Sequence, residues 1–184
     1  MTFWLDINKA VAATAFLIQK AGGEHDMFVL LKTLYHADRA SLIKDHRTIT
    51  GDNFVSMDKG PVLTQIYSFM KGRGNPSHLE IWQKYFSAGD EKYGIKISQQ
   101  PDFDYLSENE KQTLSESHDI ISSIDPRFIS RWMHATFPEW QDPHGSSIPI
   151  DPKIILRSQN ISESEILSIE EDTDAIKFAK SFLG

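Results

Sequence analysis

Asp38 is the first residue whose position invites chemistry. It follows Leu34 by four residues and Leu31 by seven, which sets a carboxylate on the apolar stripe of a helix. A buried carboxylate can serve as a general acid or base, or it can accept hydrogen bonds and pin one element to another. Its candidate partners are the backbone N–H groups from Ile49 to Asp52 and the guanidinium groups of Arg39 and Arg47. No second catalytic group stands at a fixed spacing from it, so the sequence favours a strut between this helix and the segment that follows.

Seven histidines, at 25, 36, 46, 78, 118, 134 and 144, raise the question of metal binding. None is paired as H-x-x-x-H or H-E-x-x-H, the spacings that set two ligands on one helix face. His36 and Asp38 are two residues apart and point to different faces of a helix. The expectation is a partly exposed His36, a His134 hydrogen-bonded in the core or a turn, and no metal. Other enzyme signatures are also missing: no G-x-S-x-G elbow, no G-x-x-x-x-G-K-[ST] phosphate loop and no G-x-G-x-x-G after a strand. Ser115 and Ser117 lie near His118 without an orienting acid or oxyanion donors. With no cysteine there is no thiolate chemistry and no disulfide framework. We therefore expect a non-enzymatic chain without a cofactor.

Phe128, Trp132, Phe137 and Trp140 form the densest aromatic cluster, and their spacing reads mainly as core. Trp140 differs, because it follows Pro138 in an irregular stretch, where an exposed indole would make a binding anchor.

The 184 residues, 40% of them hydrophobic, suffice for one folded domain with its own core. The net charge of −7 is unevenly spread: residues 1–92 carry 11 Lys and Arg against 10 Asp and Glu, and residues 93–184 carry 8 against 16. An acidic half disfavours phosphate backbones and leaves a basic protein partner open. No apolar run approaches the roughly 18 residues that would cross a membrane. The N-terminal MTFWLDINKA has neither the basic nor the apolar region of a signal peptide, so a cytoplasmic protein is expected.

Helix signals dominate. Ile7, Ala10, Val11, Leu17 and Ile18 recur at helical spacing until Gly22-Gly23, and Asp26 can cap a second helix bearing Met27, Leu31 and Leu34. Residues 48–58, β-branched and interrupted by Gly51-Asp52, predict a small hairpin. Pro61 reads as the first-turn proline of a third helix. Ser77 with Glu80, Ser107 with Glu110 and Ser162 with Glu165 read as capping boxes, and Asp125-Pro126 and Asp151-Pro152 as helix starts. Tyr93 to Ile97 is one weak alternating strand. The fold class is mainly α: a compact multi-helix domain with a β-hairpin near residues 48–58.

Within this pattern, LLKTLYHADRASLIKDHRTITGDNFVSMDKGPVLTQIYSFMKG (30–72) resembles the signature of the Panacea domain, the SocA-like antitoxin family that includes phage-associated proteins. The match runs through Leu30-Leu31-Lys32, Tyr35, Ala37-Asp38-Arg39, Arg47, Ile49-Thr50-Gly51-Asp52, Phe54-Val55 and Gly60-Pro61-Val62. A looser likeness continues through Leu106-Ser107-Glu110, Trp132-Met133-His134-Ala135, Trp140 and Ile148-Pro149-Ile150. It covers about residues 5–155 and sets a Panacea-like domain at 1–155, with residues 156–184 as an acidic helical extension packed on it.

The resemblance implies a structural signature of Tyr35, Asp38, Arg39, Thr50, Gly51, Asp52, Gly60 and Pro61. It also implies an antitoxin that neutralises a cognate toxin protein, encoded beside it, by direct contact. Some relatives act as adaptors that hand the toxin to a protease. The alternatives are a nucleic-acid-binding regulator of its own operon, which the acidic half disfavours, and an enzyme of phage origin. Asn53, Ser56, Asp58 and Lys59 on the hairpin's outward side, with Trp140, are the candidate contact residues.

Overall fold

Asp6 stops the chain from entering a helix one residue early and accepts a hydrogen bond from Lys9 N, opening α1 (Ile7–Lys20). Ala10, Ala12, Ala13 and Ala15 are wholly buried together with Leu17 and Ile18, so α1 is covered on nearly all sides. Methyl side chains let its neighbours approach closely, which is why this buried helix is alanine-rich. Gly22 and Gly23, both at positive φ, turn the chain out of it. The computed structural model describes residues 1–183, so the last residue of the 156–184 extension, Gly184, lies outside the described residues.

A three-residue strand β1 (Glu24–Asp26) leads into α2 (Met27–Asp45), whose first turn is capped by Asp26 through Phe28 N and Val29 N. Two small antiparallel sheets follow. In one, β2 (Phe54–Ser56) lies between β3 (Val62–Leu63) and β6 (Ile148–Pro149), with Val55 opposite Val62 and Ser56 opposite Ile148. In the other, β5 (Gly94–Ile97) lies between β1 and β4 (Phe86–Ala88). The remaining helices are α3 (Thr64–Met70), α4 (Pro76–Tyr85), α5 (Glu108–Ser122), α6 (Ile129–Thr136), α7 (Pro152–Ser158) and α8 (Glu163–Leu183). The fold is mainly α, and among the described residues no helix is long and apolar enough to cross a membrane.

Sequence and structure differ at several boundaries. The hairpin runs over 54–63 rather than 48–58, because residues 48–53 are occupied in bonding to α2 and α3 and form no ladder. Pro61 precedes a strand, and the third helix starts three residues later at Thr64. The fourth helix is capped by Asn75 with Pro76 in its first turn, so Ser77 lies inside it. The box of Ser107 and Glu110 is complete, with both reciprocal bonds present. Strands β1 and β4, three residues each, are too short for periodicity to register.

The C-terminal α8 buries Ile166 and Ile169 in the common core, and Glu170 holds the N-terminal ammonium of Met1 at 2.9 Å and Lys153 at 2.7 Å.

Candidate functional site

Helix α2 is enclosed on both sides from Leu30 to Ala37, so its polar residues must find partners inside the protein. Thr33 donates to Val29 O of the same helix at 3.0 Å, and the others reach segments outside α2. Lys32, 1% exposed, donates from Nζ to the carbonyls of Gly60 at 2.8 Å and Pro61 at 3.0 Å. Asp38, also 1% exposed, accepts from Ile49 N at 3.0 Å, from Thr50 N at 3.1 Å and from the Thr50 hydroxyl. The Thr50 hydroxyl oxygen accepts in turn from Asp52 N at 3.1 Å. Asp38 is thus a strut from α2 to the 48–52 loop, and neither Arg39 nor Arg47 supplies its partner.

Asp52 continues the chain of ties. Its buried carboxylate accepts from Gln65 N and Ile66 N at 2.9 Å each and from Asn53 N at 2.7 Å. Leu63, the residue at the N-cap of α3, has no side chain able to cap, and Asp52 fills that role from 13 and 14 residues upstream of the N–H groups it accepts from. Gly51, at φ +71°, lets the loop pass against the N-terminal segment: a Cβ there would lie 2.1 Å from the Trp4 carbonyl oxygen.

Tyr35 and Arg39, one helical turn apart, converge on Glu139. The phenol donates to Oε1 at 2.5 Å, and the guanidinium donates to Oε1 at 2.5 Å and to Oε2 at 3.3 Å. Phe137 closes this site, with its ring 5.4 Å from that of Tyr35 and beneath the Arg39 guanidinium at 4.6 Å. Glu139 was not legible beforehand. Two donors on one buried face imply an anionic acceptor, but nothing local selects one among 26 carboxylates.

Burial dominates the electrostatics. It pushes the Asp38 carboxyl up to about 7, against the pull of its Thr50 and Ile49 donors and with a contribution from Asp52. Burial likewise raises Asp52 to about 6 and holds the Tyr35 phenol well above its ordinary value, where the Glu139 charge adds to the effect. Lys32 is lowered to about 7 by burial and then by Lys59. His36, half-buried with Nδ1 2.8 Å from Ser117 Oγ, is lowered to about 4 by burial and the Arg39 charge. Such values also occur at catalytic sites. Here the shifted carboxyls of Asp38 and Asp52 are closed off from solvent and their oxygens are occupied by the protein's own donors.

Of the proposed contact residues Ser56 is buried, Asn53 and Trp140 are half-buried, and Asp58 and Lys59 are exposed. Ser56 is fully buried and accepts from Gln141 N at 3.2 Å. Asn53 faces inward, bonding Phe3 N at 3.0 Å and Phe3 O at 3.3 Å. Trp140 is half-buried: its indole N–H donates to Met57 O at 3.0 Å and its ring stacks on His134 at 3.6 Å. Asp58 and Lys59 remain exposed at the β2–β3 turn, with Asp58 accepting from Gly145 N at 2.8 Å. Among the described residues, no group of three or more His, Asp or Glu is placed to hold a metal ion.

The signature is therefore a connected set of ties: Lys32 to Gly60-Pro61, Asp38 to Thr50, Asp52 to α3, and Tyr35 with Arg39 to Glu139. A family model described as antitoxin SocA-like, Panacea domain, matches residues 30–141, more than half of the chain, and its bounds enclose every one of these ties. The chain belongs to the SocA-like Panacea family. In this Panacea domain the match begins on the buried face of α2 and ends two residues beyond Glu139. No curated protein and no solved structure matches the chain.

Proposed function

We propose that this chain is a cytoplasmic antitoxin that neutralises a cognate toxin by direct protein–protein binding and catalyses no reaction itself. The observation that carries this reading is the family match over residues 30–141. The internal use of the signature supports it: Asp38, Asp52, Tyr35 and Arg39 are bonded within the protein and hold α2, the 48–52 loop, α3 and the Phe137–Glu139 segment as one scaffold. A rigid scaffold that presents exposed loops is the usual arrangement for recognition. The toxin is the product of a neighbouring gene, and transfer of the bound toxin to a protease is a further step of the same reading.

Co-expression tests it. With the adjacent toxin gene induced, cells should grow only when this chain is present, and an affinity tag on the chain should retain the toxin. Rescue of growth without a recoverable complex would replace neutralisation by contact with repression or enzymatic detoxification.

A further inference from the structure

A groove of about 500 Å³ runs beside α2, walled by the β2–β3 turn and by α3, with Tyr93 at one end. Its surface is partly aromatic, through Phe28, Tyr67 and Tyr93, the last 56% exposed. Its charge is cationic. Lys32, Lys59 and Lys71 line it, and none of the three has a carboxylate within ion-pair distance among the described residues. Elsewhere Lys9, Lys20, Lys96, Lys111 and Lys153 each hold a carboxylate oxygen within 3.0 Å, whereas Lys44, Lys84, Lys92 and Lys177 hold none among the described residues but are scattered outside the groove.

In a chain with 26 Asp and Glu against 19 Lys and Arg, unpaired lysines gathered at one groove are not explained by a shortage of acids. The groove has two carboxylates of its own, and both are engaged with backbone N–H groups: Asp26 caps α2 and Asp58 accepts from Gly145 N. Lys32 sits on the buried side of the groove, with two of its three ammonium hydrogens directed to Gly60 O and Pro61 O. Lys32 is thus buried in the groove wall, and the lysines open to an arriving anion are Lys59 and Lys71, both exposed.

We propose that this groove binds an acidic linear segment of a partner protein, seating an aromatic or aliphatic side chain against Phe28, Tyr67 and Tyr93 and a neighbouring carboxylate at the exposed Lys59 and Lys71. The proposal rests on the reading of the chain as a protein-binding antitoxin and names the chemistry its partner presents. The ring faces supply contact area at low entropic cost, and the lysines select for negative charge and speed association.

The test is selection of a displayed library of random 12-residue peptides on the full chain, followed by affinity measurement of the enriched peptides. Peptides carrying Asp or Glu beside Phe, Tyr, Trp or Leu should be enriched. Their affinity should fall by about tenfold or more in Lys59→Glu/Lys71→Glu and weaken with added salt. Lys32→Met also removes the tie to Gly60 and Pro61, so the surface pair is the primary variant, and its circular dichroism and melting are checked against the parent chain. Selection that enriches nothing, enriches basic or purely apolar peptides, or yields peptides indifferent to the double substitution overturns the proposal. So does a single-stranded oligonucleotide of equal charge that displaces the enriched peptides at lower concentration than they bind, which assigns the lysines to phosphates. None of these outcomes needs the toxin. A failed toxin pull-down with a positive selection therefore counts against the antitoxin reading alone, and the reverse result counts against the groove alone.

Discussion

Arg39 reaches Glu139 across one hundred residues of chain, with Nε 2.5 Å from Oε1 and the glutamate side chain fully buried. The same oxygen accepts the Tyr35 phenol, so one carboxylate joins the second helix to the segment that follows the sixth. Removal of either charge leaves the other without compensation, in full burial for Glu139 and with 12% of the side chain exposed for Arg39.

Glu139→Ala should therefore cost about 3–5 kcal/mol, with Arg39→Met similar, whereas the double variant should lose much less than the sum. Chemical denaturation of the three variants measures this. Additive losses would show that the two groups do not depend on each other.

Asp38 should tolerate amide better than methyl. Asp38→Ala leaves two backbone N–H groups and a hydroxyl unpaired and should cost about 1–3 kcal/mol. Asp38→Asn keeps an oxygen for Ile49 N and Thr50 N and should cost less. Partner binding should follow stability in both. A variant that melts like the parent chain yet loses function would return Asp38 to a direct chemical role.

His36 carries a pH dependence whose sign is fixed by its surroundings. Burial and Arg39 lower it to about 4 in the folded chain, below the value of about 6.5 expected when unfolded. Its neutral form is thus favoured by folding, and that stability is complete above pH about 6.5 and lost as pH falls towards 4. Asp38 and Asp52, raised to about 7 and about 6, act in the opposite direction. They cancel in a comparison of the parent chain with His36→Gln. From pH 7 to pH 5 the parent should lose about 1–2 kcal/mol relative to that variant. A constant difference between the two would place His36 in contact with solvent.

Two glycines separate strain from collision. Gly51 and Gly145 both have positive φ, but a Cβ at Gly51 would strike the Trp4 carbonyl at 2.1 Å, and at Gly145 it would meet nothing within 4 Å. Gly145→Ala should cost about 1 kcal/mol for backbone conformation, and Gly51→Ala clearly more. Equal melting temperatures for the two variants would mean that the 48–52 loop does not rest on the N-terminal segment.

The local half of this organisation was legible in the sequence. Asp26, Ser107 and Asp151 announce helix starts because a cap and its N–H partners lie within three residues of one another. Asp38 was legible as a strut because it breaks an apolar stripe and the next segment of chain, eleven and twelve residues on, brings the donors Ile49 and Thr50. Asp52 was not legible as a cap, since its helix begins at Thr64 and the sequence places a proline where a helix start was expected. Glu139 and Ser56 were beyond reach for a related reason. Their roles depend on β6 and the Phe137–Gln141 segment folding back on β2, which no spacing along the chain encodes. Trp140 reads as an exposed anchor from its loop, but its acceptor, Met57 O, lies 83 residues away.

The central claim, neutralisation by binding without turnover, is tested most directly by titrating the purified toxin with the purified chain while following toxin activity. A binder should abolish activity at a fixed molar ratio near one chain per toxin, with a complex of matching composition on size exclusion, and dissociation should restore the toxin. Complete inactivation at a small fraction of that ratio, growing with time and surviving removal of the chain, would contradict the claim and reveal a catalyst.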